Sequence, residues 1–158
     1  MHFLSTVKLI KRLDKGLITV KDLPFDKLSE DEVARIMRYH GWQYRFLPKP
    51  FKTKAVLEAS VLSRYNAVRS VGRGNVTDEL ACMAIDKYGL KTFLALDDRC
   101  KTEVVCLHAL RNDSRAYLAI KPTQLTDAIS KFLRVKLRIN ATIDQSPGAV
   151  PERFSAAA

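Results

Sequence analysis

Apolar and polar positions along this chain recur with a period of 24 or 25 residues. The recurrence is clearest at six hydroxyl residues, each of which stands just before a helical pattern of apolar positions. A Ser or Thr side chain at that place accepts hydrogen bonds from the first free backbone N–H groups of a helix. Ser29 is followed by Glu32 three residues later, which predicts a capping box. The six predicted caps are Ser5, Ser29, Thr53, Thr77, Thr102 and Thr126.

Each predicted helix carries an apolar face in the same register. Residues four and eight positions after the hydroxyl share one face of a helix. Both positions are apolar except in the last unit, where Ser130 and Arg134 occupy them. The position seven residues after the hydroxyl is mostly small, which lets neighbouring helices approach closely. The two apolar columns are Leu9, Val33, Leu57, Ala81 and Cys106, and Leu13, Met37, Val61, Ile85 and Leu110.

The ends of the predicted helices are marked by Gly16, Gly41 and Gly89, which follow their caps by eleven or twelve residues. A left-handed residue is common at this place, and glycine adopts that conformation without strain. We expect Asn66 to take the same role in the third unit. His40, beside Gly41, is expected to cap the helix end or to lie exposed.

A second apolar signal precedes the later caps by nine and six residues. Spacing of three fits one short turn of 3₁₀ helix. Pro24, Pro48, Pro50 and Pro122 lie between this turn and the next cap, where a break in the helix belongs. The positions are Val20, Tyr44, Val68, Phe93 and Tyr117, and Leu23, Leu47, Val71, Leu96 and Ile120.

Each unit is therefore predicted to be a helix of about twelve residues, a tight corner, a short turn and a returning loop. One such unit cannot bury its apolar face alone, so stacking on its neighbours must supply the partner surface. The predicted fold is all-α, a right-handed α-solenoid of about six 24-residue repeats. Polar residues at Lys8, Arg12, Ser130 and Arg134 suit repeats that close the two ends. We expect residues 1–139 to form the helical repeat domain.

The region after Thr126 has two interpretations. Residues 133–143 alternate apolar and polar positions, which is typical of a strand with one buried face. The repeat register instead predicts helix from Thr126 to about Leu137, and we favour helix. A short C-terminal strand is the alternative, and it would need a pairing partner such as residues 17–20 or another chain. Residues 140–158 are expected to form a flexible tail.

The repeating phrases resemble known helical repeats. The segment from Leu110 to Ile120 followed by Thr126 is similar to the leucine-rich repeat variants, 24-residue bacterial repeats that pair an α-helix with a 3₁₀-like turn. The phrase Gly89, Phe93, Leu96, Thr102 resembles short paired-helix repeats of unknown function from bacterial effectors and large viruses. This resemblance implies a curved α-solenoid and a binding role. One such family holds an iron–sulfur cluster on cysteines, but nothing here matches that cluster, so no cofactor is expected.

The composition indicates the cellular compartment of the protein and the class of partner that it attracts. The chain has 27 Lys and Arg against 17 Asp and Glu, a net charge of +10, and a field of that sign attracts polyanions. No stretch is apolar enough to span a membrane, and the first residues do not resemble a secretory signal. Three cysteines without CxxC spacing predict reduced thiols. We expect a cytoplasmic protein, or one delivered into a host cytoplasm.

The chain shows no convincing catalytic or metal-binding pattern. Cys106 and His108, the best candidates for nucleophilic catalysis, are two residues apart on one predicted helix and would point in different directions. Asp97 and Asp98 are expected to be solvated or to contact Arg99 rather than hold a cation. The histidines lack ligand spacing. We therefore expect no enzyme activity, no catalytic residues, no metal and no cofactor.

Gly72 and Gly74 flank Arg73 in a loop, but the frame of a phosphate-binding P-loop is missing.

Basic residues near the caps are the strongest functional signal. If the units stack, these side chains form a row along one edge, where helix N-termini add partial positive charge. Trp42, which lies outside the apolar columns, is expected to be exposed and to mark a protein contact. The predicted binding residues are Trp42, Arg45, Lys49, Lys52, Lys54, Arg69, Arg73, Arg99, Lys101 and Lys121.

The favoured function is a non-enzymatic module that recognises a macromolecular partner, in the first place a protein, through this basic surface. The first alternative is sequence-independent binding of nucleic acid along the phosphate backbone. The second is an accessory protein of a phage, plasmid or pathogen that inhibits a host factor.

Overall fold

Helices and short 3₁₀ turns make up the regular structure of the chain in a computed structural model that describes residues 5–144, without the side chains of Arg73 and of residues 137–144. No strand occurs within residues 5–144. The all-α prediction is confirmed. The α-helices are α1 (Thr6–Asp14), α2 (Glu30–His40), α3 (Lys54–Val61), α4 (Asp78–Tyr88), α5 (Leu90–Ala95), α6 (Glu103–Asn112) and α7 (Asp127–Asp144).

The 3₁₀ turns fill the segments between the longer helices. They span Val20–Asp22, Phe25–Lys27, Gly41–Phe46, Lys49–Phe51, Ala67–Arg69, Arg73–Asn75, Asp98–Cys100, Ser114–Ala119 and Pro122–Gln124. A short turn therefore precedes each cap from Ser29 onward. The first turn in each segment lies where apolar spacing of three predicted it, except in the segment before Thr102, where the predicted turn is the α-helix α5.

Residues 133–143 are helical within α7, so the strand alternative is wrong and the helix prediction is confirmed. The chain forms two compact units, Met1–Gln124 and Leu125–Ala158. Of the predicted flexible tail, residues 140–158, the first five belong to α7, which ends at Asp144, and residues 145–158 lie outside the described residues.

Five of the six predicted caps are formed by side chains. In each, the hydroxyl oxygen accepts a hydrogen bond from the backbone N–H three residues later, at 3.2–3.4 Å. The capping box at Ser29 is complete, because its backbone N–H donates to Glu32 Oε2 at 3.0 Å. Ser5 is the exception, since its side chain makes no capping hydrogen bond. The capping residues are Ser29, Thr53, Thr77, Thr102 and Thr126.

The predicted apolar columns form the core of the unit Met1–Gln124. Leu57 is half-buried, and the other members of the two helix columns are buried. The positions six residues before each cap are all buried as well. Tyr117 departs from the pattern at 53% exposed, because its 3₁₀ turn buries Ala116 in the core instead.

The glycines confirm part of the predicted helix ends. Gly16 and Gly89 have φ of 66° and 65°, as a left-handed C-terminal residue requires. The prediction is wrong for Gly41, whose φ is −55°, because the chain continues from α2 directly into the turn Gly41–Phe46. It is also wrong for Asn66, whose φ is −102°, since α3 ends earlier, at Val61.

Gly41 is required for a different reason, which is close packing. A Cβ atom at this position would overlap the backbone carbonyl group of Ser60 in α3 and the hydroxyl of Ser63. Only the absence of a side chain lets the end of α2 approach the end of α3 this closely.

The helices α1, α2, α3 and α4 run in the same direction, as hydrogen bonds between them indicate. Hydrogen bonds join neighbouring helix starts at one end of the layer and neighbouring helix ends at the other. The pairs are Thr6 with Glu32 and Thr53 with Glu30 at the starts, at 2.9 and 2.7 Å, and Lys87 with the carbonyl of Leu62 at the ends, at 2.7 Å. All three bonds link residues 23 to 26 positions apart, which is about one period of the sequence pattern.

Candidate partner-binding surface

Most of the predicted binding residues are on the surface. Trp42 is 44% exposed, as predicted. Lys101 is the exception, because it is only 8% exposed and cannot belong to an accessible basic row. The side chain of Arg73 lies outside the described residues. The exposed basic residues are Arg45, Lys49, Lys52, Lys54, Arg69, Arg99 and Lys121.

Three basic residues lie on 3₁₀ turns that occupy equivalent places in three successive sequence periods. Lys21, Arg45 and Arg69 belong to the turns Val20–Asp22, Gly41–Phe46 and Ala67–Arg69, and the central turn contacts both of the others. The three are spaced by 24 residues. The sequence analysis missed Lys21, although this spacing, applied to Arg45 and Arg69, would have found it.

These residues carry charges without an ion-pairing acid in the described part of the chain. Within the described part of the chain, no carboxylate lies at ion-pairing distance from Lys21, Arg45, Lys49, Lys52 or Arg69. We call these five residues the open basic surface.

Backbone carbonyl groups hold two members of this surface. Lys52 Nζ donates to the carbonyl oxygen of Arg45 at 3.4 Å, and Arg69 Nε donates to that of Ala95 at 3.1 Å. The other N–H groups of the Arg69 guanidinium make no hydrogen bond with the described residues and can donate to a bound molecule.

Two members of the open basic surface contact the ring of Phe46. Lys21 Nζ lies 4.5 Å from the centroid of its ring, and the guanidinium carbon of Arg45 lies 4.7 Å from the same centroid. Cations at this distance are attracted by the electrons of an aromatic face. The half-buried ring of Phe46 is therefore in contact with two cations.

The turns that carry these cations are fixed by a buried hydrogen bond. The backbone N–H of Val20 donates to Gln43 Oε1 at 3.1 Å, and both residues are buried. Asp22, the acid nearest in sequence to Lys21, accepts from the backbone N–H and hydroxyl of Thr19, each at 2.8 Å. These bonds lower the pKa of Asp22 and direct its carboxylate to Thr19.

The basic row predicted from the sequence is interrupted at Asp98. Its carboxylate lies 3.1 Å from Lys101 Nζ and 2.6 Å from Lys121 Nζ. Hydrogen bonds from Lys121 and Lys101 hold the pKa of Asp98 below its usual value. Lys101 also donates to the carbonyl of Ala119 at 3.4 Å, and Gln124 Nε2 donates to the carbonyl of Asp98 at 2.7 Å. The two predicted binding lysines thus share the single negative charge of Asp98.

The remaining predicted residues lie apart from this cluster or have local partners. Lys54 Nζ lies 3.8 Å from Glu58 Oε1, one helical turn along α3. The backbone N–H of Arg99 donates to Asp97 Oδ1 at 3.1 Å, and this bond caps the turn Asp98–Cys100. The side chain of Arg99 is exposed. The expected contact of Asp97 or Asp98 with Arg99 is therefore made by the backbone N–H of Arg99 with Asp97.

A cleft of about 790 Å³ lies between α2, α3 and α4. Small residues contribute much of its lining, and charges of both signs surround it. Asp31 and Glu32 lie at the start of α2, whereas Arg38 and Lys87 lie near the ends of α2 and α4. The lining residues of these kinds are Ala34, Ala55, Ala59 and Ser63, the acids Asp31, Glu32 and Glu58, and the bases Arg35, Arg38 and Lys87.

The candidate nucleophile is buried and turned away from the histidine. Cys106 is fully buried, its thiol donates to the carbonyl of Lys101 at 3.5 Å, and burial raises its pKa. His108 Nε2 lies 2.7 Å from Asp86 Oδ1 on α4. The two side chains point in different directions, as their spacing predicts.

His40 is 7% exposed, so the expectation that it caps α2 or lies in solvent is wrong. Its Nε2 lies 3.1 Å from Asp14 Oδ1, which joins the ends of α1 and α2, although the pair lacks hydrogen-bond alignment. Burial lowers the pKa of His40, and the carboxylate of Asp14 opposes that shift.

Among the side chains that the structure describes, no three His, Cys, Asp or Glu residues cluster as metal ligands would. No helix in residues 5–144 combines the length and the apolar character needed to cross a bilayer. Comparison with known proteins found no matching family model, no similar curated protein and no similar solved structure.

Proposed function

We propose that this protein is a non-enzymatic recognition module that binds an acidic region of a protein partner through the open basic surface. The observation that carries the proposal is the set of five exposed cations without carboxylate partners in the described part of the chain. Unpaired charges of one sign on packed, fixed turns favour a partner of the opposite sign.

We propose that the architecture is a right-handed α-solenoid of about six 24-residue repeats, as in the leucine-rich repeat variants that the sequence resembles. Hydrogen bonds between residues about one period apart support stacked, equivalent units. They include Thr6 with Glu32, Val20 with Gln43, Arg69 with Ala95, and Gln124 with Asp98. Stacking of this kind gives a surface on which equivalent residues of successive units are aligned.

An acidic protein segment fits this surface better than a nucleic-acid backbone does. A long polyanion needs a continuous row of phosphate contacts, and Asp98 interrupts the row with a negative charge that pairs with Lys101 and Lys121. The cleft between α2, α3 and α4 carries acids as well as bases, which suits a protein surface. The ring of Phe46 already carries two cations, which leaves little of it for stacking a base.

Sequence-independent nucleic-acid binding is the second candidate, and the net charge of +10 favours it. If several cations of the protein contact phosphates of a duplex, the binding constant falls steeply as the salt concentration rises. The logarithm of the binding constant then falls with the logarithm of the salt concentration with a slope of about −0.9 per phosphate contact. We further propose a cytoplasmic location, because the fully buried thiol of Cys106 suits a reducing compartment.

Fluorescence anisotropy with two labelled probes, a peptide of consecutive glutamates and a duplex of the same charge, tests the proposal. We expect the peptide to bind, and we expect Arg45→Glu/Lys52→Glu/Arg69→Glu to abolish that binding through charge repulsion. The matched control, Lys11→Glu/Lys91→Glu/Arg111→Glu, has the same net charge and changes residues that are also exposed. Equal losses in both variants, or tighter binding of the duplex, would contradict the proposal.

A further inference from the structure

Two cations, the ammonium of Lys21 and the guanidinium of Arg45, lie close to the same aromatic ring, that of Phe46. Each lies within 5 Å of the ring centroid, and no carboxylate of the described residues pairs with either one. Both are therefore attracted to one ring. A phosphate group that reached both cations would accept hydrogen bonds from the ammonium and the guanidinium.

The arrangement is formed before any ligand arrives. The buried bond from Val20 to Gln43 joins the turn that carries Lys21 to the turn that carries Arg45. The carboxylate of Asp22 accepts hydrogen bonds from Thr19 and attracts the charge of Lys21 without lying at ion-pairing distance from it. Sites whose parts are already fixed lose less entropy when they bind.

A third cation lies beside this pair. Lys52 donates from Nζ to the carbonyl oxygen of Arg45, which places its ammonium group next to the backbone of the same turn. The site therefore presents a planar guanidinium fork and two ammonium groups. A guanidinium fork matches the oxygen atoms of a phosphate group in pairs.

We infer that Lys21 and Arg45, held over Phe46, form a recognition site for a phosphate monoester on the partner protein. The inference rests on the proposed function and specifies the chemistry of the partner. A phosphorylated side chain brings a charge of about −1.5 to −2 and three acceptor oxygens, whereas a carboxylate brings −1 and two. A phosphodiester in nucleic acid also carries one charge, so the paired cations favour the monoester.

The test compares three labelled peptides that differ at one position, with phosphoserine, glutamate or serine in an acidic sequence. We expect the phosphoserine peptide to bind at least about tenfold more tightly than the glutamate peptide. Inorganic phosphate and a DNA duplex serve as competitors. Displacement by the duplex at lower concentration than by the unlabelled phosphopeptide would overturn the assignment to a protein monoester.

Three variants locate the site. Lys21→Gln and Arg45→Gln are expected to weaken binding of the phosphoserine peptide by about fivefold to tenfold each. Phe46→Leu keeps the apolar bulk, removes the aromatic face and should also reduce the preference for phosphoserine over glutamate. Lys91→Gln, which removes one exposed charge from α5, is the matched control. Thermal melting monitored by circular dichroism verifies that each variant is folded.

The outcomes separate this inference from the proposed function. If the glutamate peptide binds as tightly as the phosphoserine peptide, the monoester site is wrong while recognition of an acidic partner stands. If Lys21→Gln reduces affinity no more than Lys91→Gln does, the site is also wrong. If none of the peptides binds the folded protein, both proposals fail together.

Discussion

At the scale of single residues, the structure assigns roles that depend on neighbours distant in sequence. Gly41 was expected to be left-handed, yet its lack of a side chain serves contact with the carbonyl of Ser60. Lys101 was expected in solvent, yet it is buried between Asp98, the carbonyl of Ala119 and the ring of Phe93. Neither contact is encoded in the local pattern of either residue, so neither could be predicted from the sequence.

Substitution of Gly41 tests the close packing of α2 and α3. Gly41→Ala places a methyl group against backbone that cannot move aside, and we expect a loss of about 1–3 kcal/mol in the free energy of unfolding. Gly74→Ala is the control, because a Cβ there meets no atom within 4 Å. Urea denaturation measures both variants, and equal stability of the two would show that the contact at Ser60 relaxes.

The pH dependence of stability tests the buried His40. Its pKa is lowered by burial, so the folded protein takes up this proton less readily than the unfolded chain. Neutral His40 contributes its full share of stability above the pKa of about 6.5 that histidine has in the unfolded chain. That contribution is lost as the pH falls towards the lower pKa of His40 in the folded state.

We therefore expect the free energy of unfolding to fall between about pH 7.5 and 5.5. His40→Gln should show a smaller decrease over that range. Asp14→Asn removes the charge that favours protonation and should enlarge the decrease. An unchanged pH profile in His40→Gln would mean that another group is responsible.

At the scale of elements, the sequence predicted most of the helices because the signals are local. A hydroxyl cap, an apolar residue four positions later and a glycine at the end all act within one helix. The corner turns were predicted less well, since Tyr117 is exposed where its register indicated burial. The interruption of the basic row at Asp98 depends on loops about one repeat apart, which no local pattern reports.

The caps provide a prediction at this scale. Thr102→Ala removes the acceptor for the backbone N–H of Val105, and we expect it to destabilise the protein by about 1 kcal/mol. Ser5→Ala should have little effect, because the Ser5 side chain makes no capping hydrogen bond. Chemical denaturation of both variants checks the difference, and a comparable loss in Ser5→Ala would contradict the assigned caps.

At the scale of the whole molecule, the distribution of charge matters more than its sum. The chain has a net charge of +10, but Asp98, Glu58 and Asp113 neutralise nearby bases within the protein. Lys21, Arg45, Lys49, Lys52 and Arg69 are among the exposed bases that have no carboxylate at ion-pairing distance in the described part of the chain. A sequence count gives the field around the molecule, while only the structure separates neutralised from accessible cations.

Amide chemical shifts recorded during titration with the acidic peptide test the central claim most directly. The account predicts that the perturbed residues cluster in the turns Val20–Asp22, Gly41–Phe46 and Ala67–Arg69, and that the perturbations weaken as salt screens the charges. Perturbations centred on the cleft between α2, α3 and α4 or around Asp98, with none in these turns, would contradict it.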